Sequence, residues 1–219
     1  MSFIRSPFLV IQDFISPKMC ETILSQVEIK QPDLDKEDKP IKMERHQDDL
    51  ENILFSRFKE FIPQLEERYN AKYRATEKLM FQYYPENSSK PAENPGCESS
   101  KFVRRKWIKT RDVDLTGILW LKDYNNNVPL DPRTETYGGK LEFPVYNFSL
   151  VPQRGTLVFF PAGPHFICAI SPILVSPLYQ VKFNVCLTDI AGGMWFYQPA
   201  RFLFDEKLGP LYSWFNDYI

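Results

Sequence analysis

Gly138-Gly139-Lys140-Leu141-Glu142-Phe143-Pro144, followed by Pro152-Gln153-Arg154-Gly155-Thr156-Leu157-Val158-Phe159-Phe160-Pro161 and then His165, is the stretch that decides the fold. Each block is a short apolar run bounded by Gly and Pro, which is how hairpin-linked strands read. Working outward, residues 115–124 form a strong strand pattern, and residues 138–143, 156–160, 165–170 and 179–187 each read as one strand. Residues 77–84 alternate as well, so the apolar period switches from 3.6 to 2 near residue 77.

Upstream the period is helical. Residues 8–12 read as a short strand, and Ser16-Pro17 has the form of an N-cap with proline in the first helical position. Met19, Cys20, Ile23, Leu24 and Val27 follow at helical spacing. Residues 30–42 are polar, charged and proline-containing, which predicts a loop. A second helix is expected from near Asp48, with Leu50, Ile53, Leu54, Phe58, Phe61, Ile62, Leu65 and Tyr69 in one stripe. Pro63 inside that stripe predicts a kink or two short helices. Residues 85–103, rich in Pro, Asn, Ser and Gly, read as one long loop. Helices first and many short strands afterwards indicate an α+β fold, with an eight-stranded double-sheet jelly roll as the main body.

The chain has 219 residues, 43% hydrophobic and 15% aromatic, with net charge −1. That suffices for one packed domain, expected over residues 1–190, and excludes general disorder. The overall charge gives no reason to expect nucleic acid or an anionic membrane as partner. Lys101, Arg104, Arg105, Lys106, Lys109 and Arg111 are a local basic cluster, either a solvated loop and strand edge or a contact for an acidic or phosphate-bearing partner. The cysteines, at positions 20, 97, 168 and 186, include no pair at metal-binding spacing. The opening Met-Ser-Phe-Ile-Arg-Ser-Pro-Phe lacks the apolar core of a secretion signal, and no apolar run approaches the ~20 residues that span a bilayer. A cytoplasmic setting with reduced thiols is the expectation.

From Phe8 to Leu187 the chain resembles the prolyl 4-hydroxylase-like branch of the 2-oxoglutarate/Fe(II)-dependent dioxygenases, especially versions carried by tailed phages. Residues 8–20 resemble that family's opening strand and helix, and residues 114–125 its Leu-Thr strand. Gly138-Gly139-x-Leu141-x-Phe143 and Pro152-x-x-Gly155-x-Leu157-x-x-Phe160 match its distal hairpins. The resemblance implies a double-stranded β-helix (jelly-roll) barrel with N-terminal helices packed on one sheet. It also implies Fe(II) held by two histidines and a carboxylate, with 2-oxoglutarate as cosubstrate. His165 takes the place of the distal iron ligand, and Glu98 that of the carboxylate. Gly96 stands where the first histidine belongs, so the implied site is one imidazole short; water, Cys97 or Glu93 could fill the gap. His46, in a charged stretch at a helix entry, is not expected to be a ligand.

Alternation in residues 179–185 puts Gln180, Lys182 and Asn184 on one face. Lys182 on a barrel interior needs an anion, because an unpaired buried charge is costly. By resemblance that anion is the 2-oxoglutarate distal carboxylate, with hydroxyl contacts from Thr116 and Tyr83 and with Arg154 as a weaker substitute for Lys182. The other reading of Lys182 is a solvated outer face or an internal salt bridge.

Residues 191–219 form an aromatic tail that includes Trp195, Phe196, Tyr197, Phe202, Phe204, Tyr212, Trp214 and Phe215. Such residues cover their own body or anchor an interface, and a homo-oligomer or virion assembly contact is the expectation here. Two functions follow. One is a dioxygenase hydroxylating a protein or small-molecule substrate. The other is a catalytically inactive jelly roll serving as a structural part of a phage particle, in the host cytoplasm or in the virion.

Overall fold

The computed structural model describes residues 6–26, 41–43, 48–93, 100–103, 106–109, 112–127, 129–163 and 166–188. In chain order the elements are β1 (Leu9–Ile11), α1 (Pro17–Gln26), β2 (Ile41–Met43), α2 (Asp48–Lys59), α3 (Ile62–Tyr69), β3 (Lys72–Thr76) and β4 (Met80–Tyr84). There follow β5 (Lys90–Glu93), β6 (Ser100–Val103), β7 (Lys106–Lys109), β8 (Leu115–Trp120), β9 (Asp123–Tyr124) and β10 (Glu135–Gly138). The last are β11 (Leu141–Phe143), β12 (Phe148–Leu150), β13 (Leu157–Pro161), β14 (Cys168–Ile170), β15 (Ile173–Val175) and β16 (Leu178–Thr188).

The helix signals act as their chemistry requires. Ser16 Oγ accepts from Met19 N at 3.2 Å and Ser16 O from Cys20 N at 3.1 Å, capping α1. The apolar stripe of residues 50–69 splits at Phe61, and Pro63 sits in the first turn of α3, where its missing N–H leaves no bond unmade. Asn70, at φ 49°, ends α3 in the left-handed region.

Among the described residues the architecture is mostly β with three α-helices. The main sheet runs β1-β13-β8-β16-β4-β2, and β3 pairs with the far half of β16. A second sheet runs β12-β11-β14-β5. All these pairings are antiparallel. Two apolar layers result. Between the main sheet and the helices lie Ile23, Leu54, Phe58, Leu65, Leu119, Phe159, Val181 and Phe183. Between the two sheets lie Phe8, Ile118, Trp120, Phe143, Phe160, Phe166 and Ile170. This is a jelly-roll-like sandwich, with the helices on the outer side of one sheet.

Four sequence expectations are corrected. Residues 138–143 are not one strand: Gly138 and Gly139 have φ of 97° and 70° and separate β10 from β11. A Cβ at Gly138 would stand 2.0 Å from Pro172 O, so the turn is closed around glycine. Residues 85–103 are not a continuous loop, because Lys90–Glu93 joins the second sheet as β5 and Ser100–Val103 pairs with β7. The polar sequence of β5 suits an edge strand, which shows no apolar period. The loop expected through residue 42 ends earlier, at the edge strand Ile41–Met43. The strand expected over residues 115–124 breaks after Trp120, where Asp123–Tyr124 turns away to pair in parallel with β10. The aromatic tail, residues 191–219, lies outside the described residues.

Candidate functional site

Strand alternation sets which side chains meet between the sheets. On β8, Thr116, Ile118 and Trp120 share the inter-sheet face, while Leu115 and Leu119 face the helices. On β16, Leu178, Gln180, Lys182 and Asn184 take the inter-sheet face, while Tyr179, Val181, Phe183 and Val185 face the helices. Gln180 lies opposite Trp120 and Gln82, Lys182 opposite Ile118 and Met80, and Asn184 opposite Thr116. Lys182 and Thr116 are therefore diagonal neighbours on one face.

This face is apolar at one end and polar along its middle. Gln180 Nε2 donates to Gln82 Oε1 at 2.7 Å, and Asn184 Nδ2 donates to Glu77 Oε2 at 2.8 Å. Two buried polar atoms of β8, Thr116 Oγ1 and Trp120 Nε1, have no hydrogen-bond partner among the described residues. Thr116 is 2% exposed and Trp120 1% exposed, so solvent does not reach these groups in the ordinary way. Unmatched polar groups in an enclosed layer are the signature expected of a place meant for a ligand or an ordered water. Lys182 is half-buried on the same face. The ammonium of Lys182, the unmatched Thr116 hydroxyl and the Trp120 indole N–H thus lie on one face of the sheet.

The structure does not bring Tyr83 to this face. On β4, Phe81 and Tyr83 point to the helix side and Tyr84 to the inter-sheet layer, and the Tyr83 ring packs on Tyr179 with centroids 5.2 Å apart. Burial and, secondarily, the Glu86 carboxylate push its hydroxyl pKa up. Arg154 is likewise engaged elsewhere. Its Nη1 meets Glu21 of α1 at 3.1 Å, and its Nε lies 3.2 Å from Asp123 Oδ2, an ion pair without hydrogen-bond alignment. The Gln82–Gln180 pair and Trp120 were missed as site residues, although the alternation of residues 80–84 and 179–185 already places both glutamines on the face of Lys182.

The two expected iron ligands, Glu98 and His165, lie outside the described residues, as do Gly96, Cys97 and His46. Among the described residues no group of three His, Cys, Asp or Glu side chains is placed to hold a metal. The flanking strands are described. β5 pairs antiparallel with β14, with Glu93 opposite Cys168. The chain therefore leaves β5 toward residue 94 at the same end of the ladder at which it enters β14 at Cys168.

No family model matches the chain, and no curated protein matches it either. Solved structures do. A viral collagen prolyl hydroxylase from Paramecium bursaria Chlorella virus-1, in its 2-oxoglutarate complex, superposes with a TM-score of 0.60 at 14% identity, over 84% of this chain and 96% of that one. A Pseudomonas putida prolyl-4-hydroxylase gives 0.58 at 11% identity, over 83% and 92%. A Trichoplax adhaerens prolyl hydroxylase, solved with a hypoxia inducible factor oxygen degradation domain peptide, gives 0.52 at 16% identity, over 83% and 84%. The chain thus has the fold of the prolyl 4-hydroxylases, as its glycine hairpins and opening strand suggested.

Proposed function

We propose that the chain is a 2-oxoglutarate/Fe(II)-dependent dioxygenase of prolyl 4-hydroxylase type, built as a double-stranded β-helix, whose metal site is one imidazole short. The observation that carries this reading is the set of unmatched polar atoms on β8, Thr116 Oγ1 and Trp120 Nε1, on the face that also carries Lys182. The fold likeness supports it. Lys182 would meet the distal carboxylate of 2-oxoglutarate and Thr116 would donate its hydroxyl to the same group, an arrangement of charge-assisted bonds. Phe160, opposite Thr116 in the sheet, would help to keep water from that carboxylate and so strengthen the pairing. His165 and Glu98 would hold the iron. Iron and 2-oxoglutarate, when bound, would supply the activation of dioxygen by which such enzymes hydroxylate a protein or small-molecule substrate. Gly96 contributes no ligand, so iron retention is weak.

Gly96 also favours a second reading, a jelly roll retained as an assembly part after its metal site decayed. One pair of experiments separates the two. Under the dioxygenase reading, millimolar 2-oxoglutarate raises the melting temperature, and Lys182→Met removes the shift while keeping the fold. Anaerobic Fe(II) titration gives binding that His165→Ala abolishes and His46→Ala leaves unchanged. Wild-type protein that binds neither ligand supports the scaffold reading and ends the enzymatic one.

A further inference from the structure

A cavity of about 540 Å³ opens on the helix-facing side of the main sheet, on the opposite face from Lys182. Its walls include Glu21 and Leu24 of α1, Lys122 and Asp131, Pro132 and Arg133 of the segment before β10, and Tyr179 of β16. Lys122 is 3% exposed. Its Nζ donates to Pro132 O at 2.6 Å and to Ser176 Oγ at 2.9 Å, and stands 4.9 Å from the centre of the Tyr179 ring. All three neighbours are uncharged.

The charges around the cavity are unevenly matched. Glu21 is paired with Arg154 at 3.1 Å. Asp131 accepts from Arg133 N and from Thr134 Oγ1, both at 3.0 Å, which ties its carboxylate into its own turn. Among the described residues no carboxylate comes within ion-pair distance of Lys122 or of the Arg133 guanidinium. Asp131 and Glu86 act on Lys122 only from beyond ion-pair distance. A buried ammonium with no directly paired carboxylate is unfavourable, and an incoming anion relieves that cost.

We infer that this cavity is a binding site for a small organic carboxylate with an apolar or aromatic body. The carboxylate meets Lys122 and Arg133, and the body packs against Leu24, Pro132 and Tyr179. The site is independent of the barrel interior, since Tyr179 and Lys182 lie on opposite faces of β16.

The groups facing Lys122 are Glu21 from α1, Glu86 from the segment after β4, Asp131 and Arg133 from the segment before β10, and Tyr179 from β16. Burial outweighs the attraction of Asp131 and Glu86 and brings the Lys122 amine down to about 8. Lys122 is then cationic at neutral pH and neutral well above pH 8. Carboxylate binding must therefore weaken as pH rises through that range.

Calorimetric titration of the full chain with benzoate, and with neutral benzamide as its uncharged counterpart, tests the site. Benzoate binds at pH 7, benzamide binds at least about tenfold more weakly, and raising the pH to 9.5 weakens benzoate by about tenfold. Lys122→Met and Arg133→Gln each lose affinity, while Lys182→Met keeps it. Equal binding of benzoate and benzamide, or benzoate affinity in the wild type that is constant from pH 7 to 9.5, overturns the proposal without recourse to any variant. Absence of benzoate binding at millimolar concentration, or its loss in Lys182→Met, overturns it too.

Discussion

Gln180 Nε2 donates to Gln82 Oε1 at 2.7 Å across β16 and β4, within the layer that separates the two sheets. Gln180 is 3% exposed and Gln82 7%, so neither amide has water to fall back on. Gln180 also reaches Tyr84 OH at 3.4 Å, so it is the loss of Gln180 that leaves its partner Gln82 without this bond. Gln180→Met is expected to cost about 1–3 kcal/mol in urea unfolding, because an orphaned buried polar group loses its solvation without compensation. The double change Gln82→Met with Gln180→Met is expected to cost less than the sum of the singles. Strict additivity would show that the pair is not coupled.

Gly155→Ala is the most disruptive small change expected near α1. Gly155 has φ 79°, and a Cβ there would stand 2.2 Å from Ile15 O. The same residue accepts the Ile15 N–H at 3.3 Å. Strain and overlap together are expected to lower stability by about 3 kcal/mol. An alanine variant with an unchanged melting temperature would contradict this packing.

Lys122 gives a pH signature in stability. Its amine is lowered from 10.5 to about 8 in the folded chain, chiefly by burial. Between those values the unfolded chain holds a proton that the folded chain has released, so stability rises with pH across that window. The contribution amounts to at most roughly 3 kcal/mol. The measurement is the difference in unfolding free energy between wild type and Lys122→Met from pH 7 to 10.5. That difference should shift in favour of the wild type as pH rises, and a flat difference would refute the assignment.

Native thiol labelling should miss Cys20, Cys168 and Cys186, which are all buried. Burial pushes the Cys20 thiol up to about 12 and raises that of Cys186 as well, which removes the reactive thiolate near neutral pH. Iodoacetamide at pH 8 followed by peptide mass spectrometry should find these three modified only after denaturation. Fast native modification of Cys20 would show that α1 opens readily.

Local signals carried far in this chain. Ser16-Pro17 placed the start of α1, and Pro63 divided the second helical stripe into α2 and α3. Alternation along residues 179–185 separated the face of Lys182 from the face of Phe183 before any partner strand was known. The Gly- and Pro-bounded blocks at 138–144 and 152–161 pointed to hairpin-linked strands. These features depend on a residue and its neighbours along the chain, where period and backbone preference act directly.

Partners distant in sequence were decided by the tertiary structure. Tyr83 looked able to join Thr116, yet β4 docks on β16 in the register Tyr83 opposite Tyr179, which turns it toward the helices. Arg154 looked available until α1 brought Glu21 beside it. β5 has no apolar alternation and becomes a strand because β14 offers it a ladder edge. Lys122 reads as an ordinary polar residue inside the strand expected over residues 115–124, and is buried because Pro132, Ser176 and Tyr179 close around it from other segments. A side chain's period is written in its own strand, whereas the layer it faces and the charges that meet it depend on which sheets and helices pack against that strand.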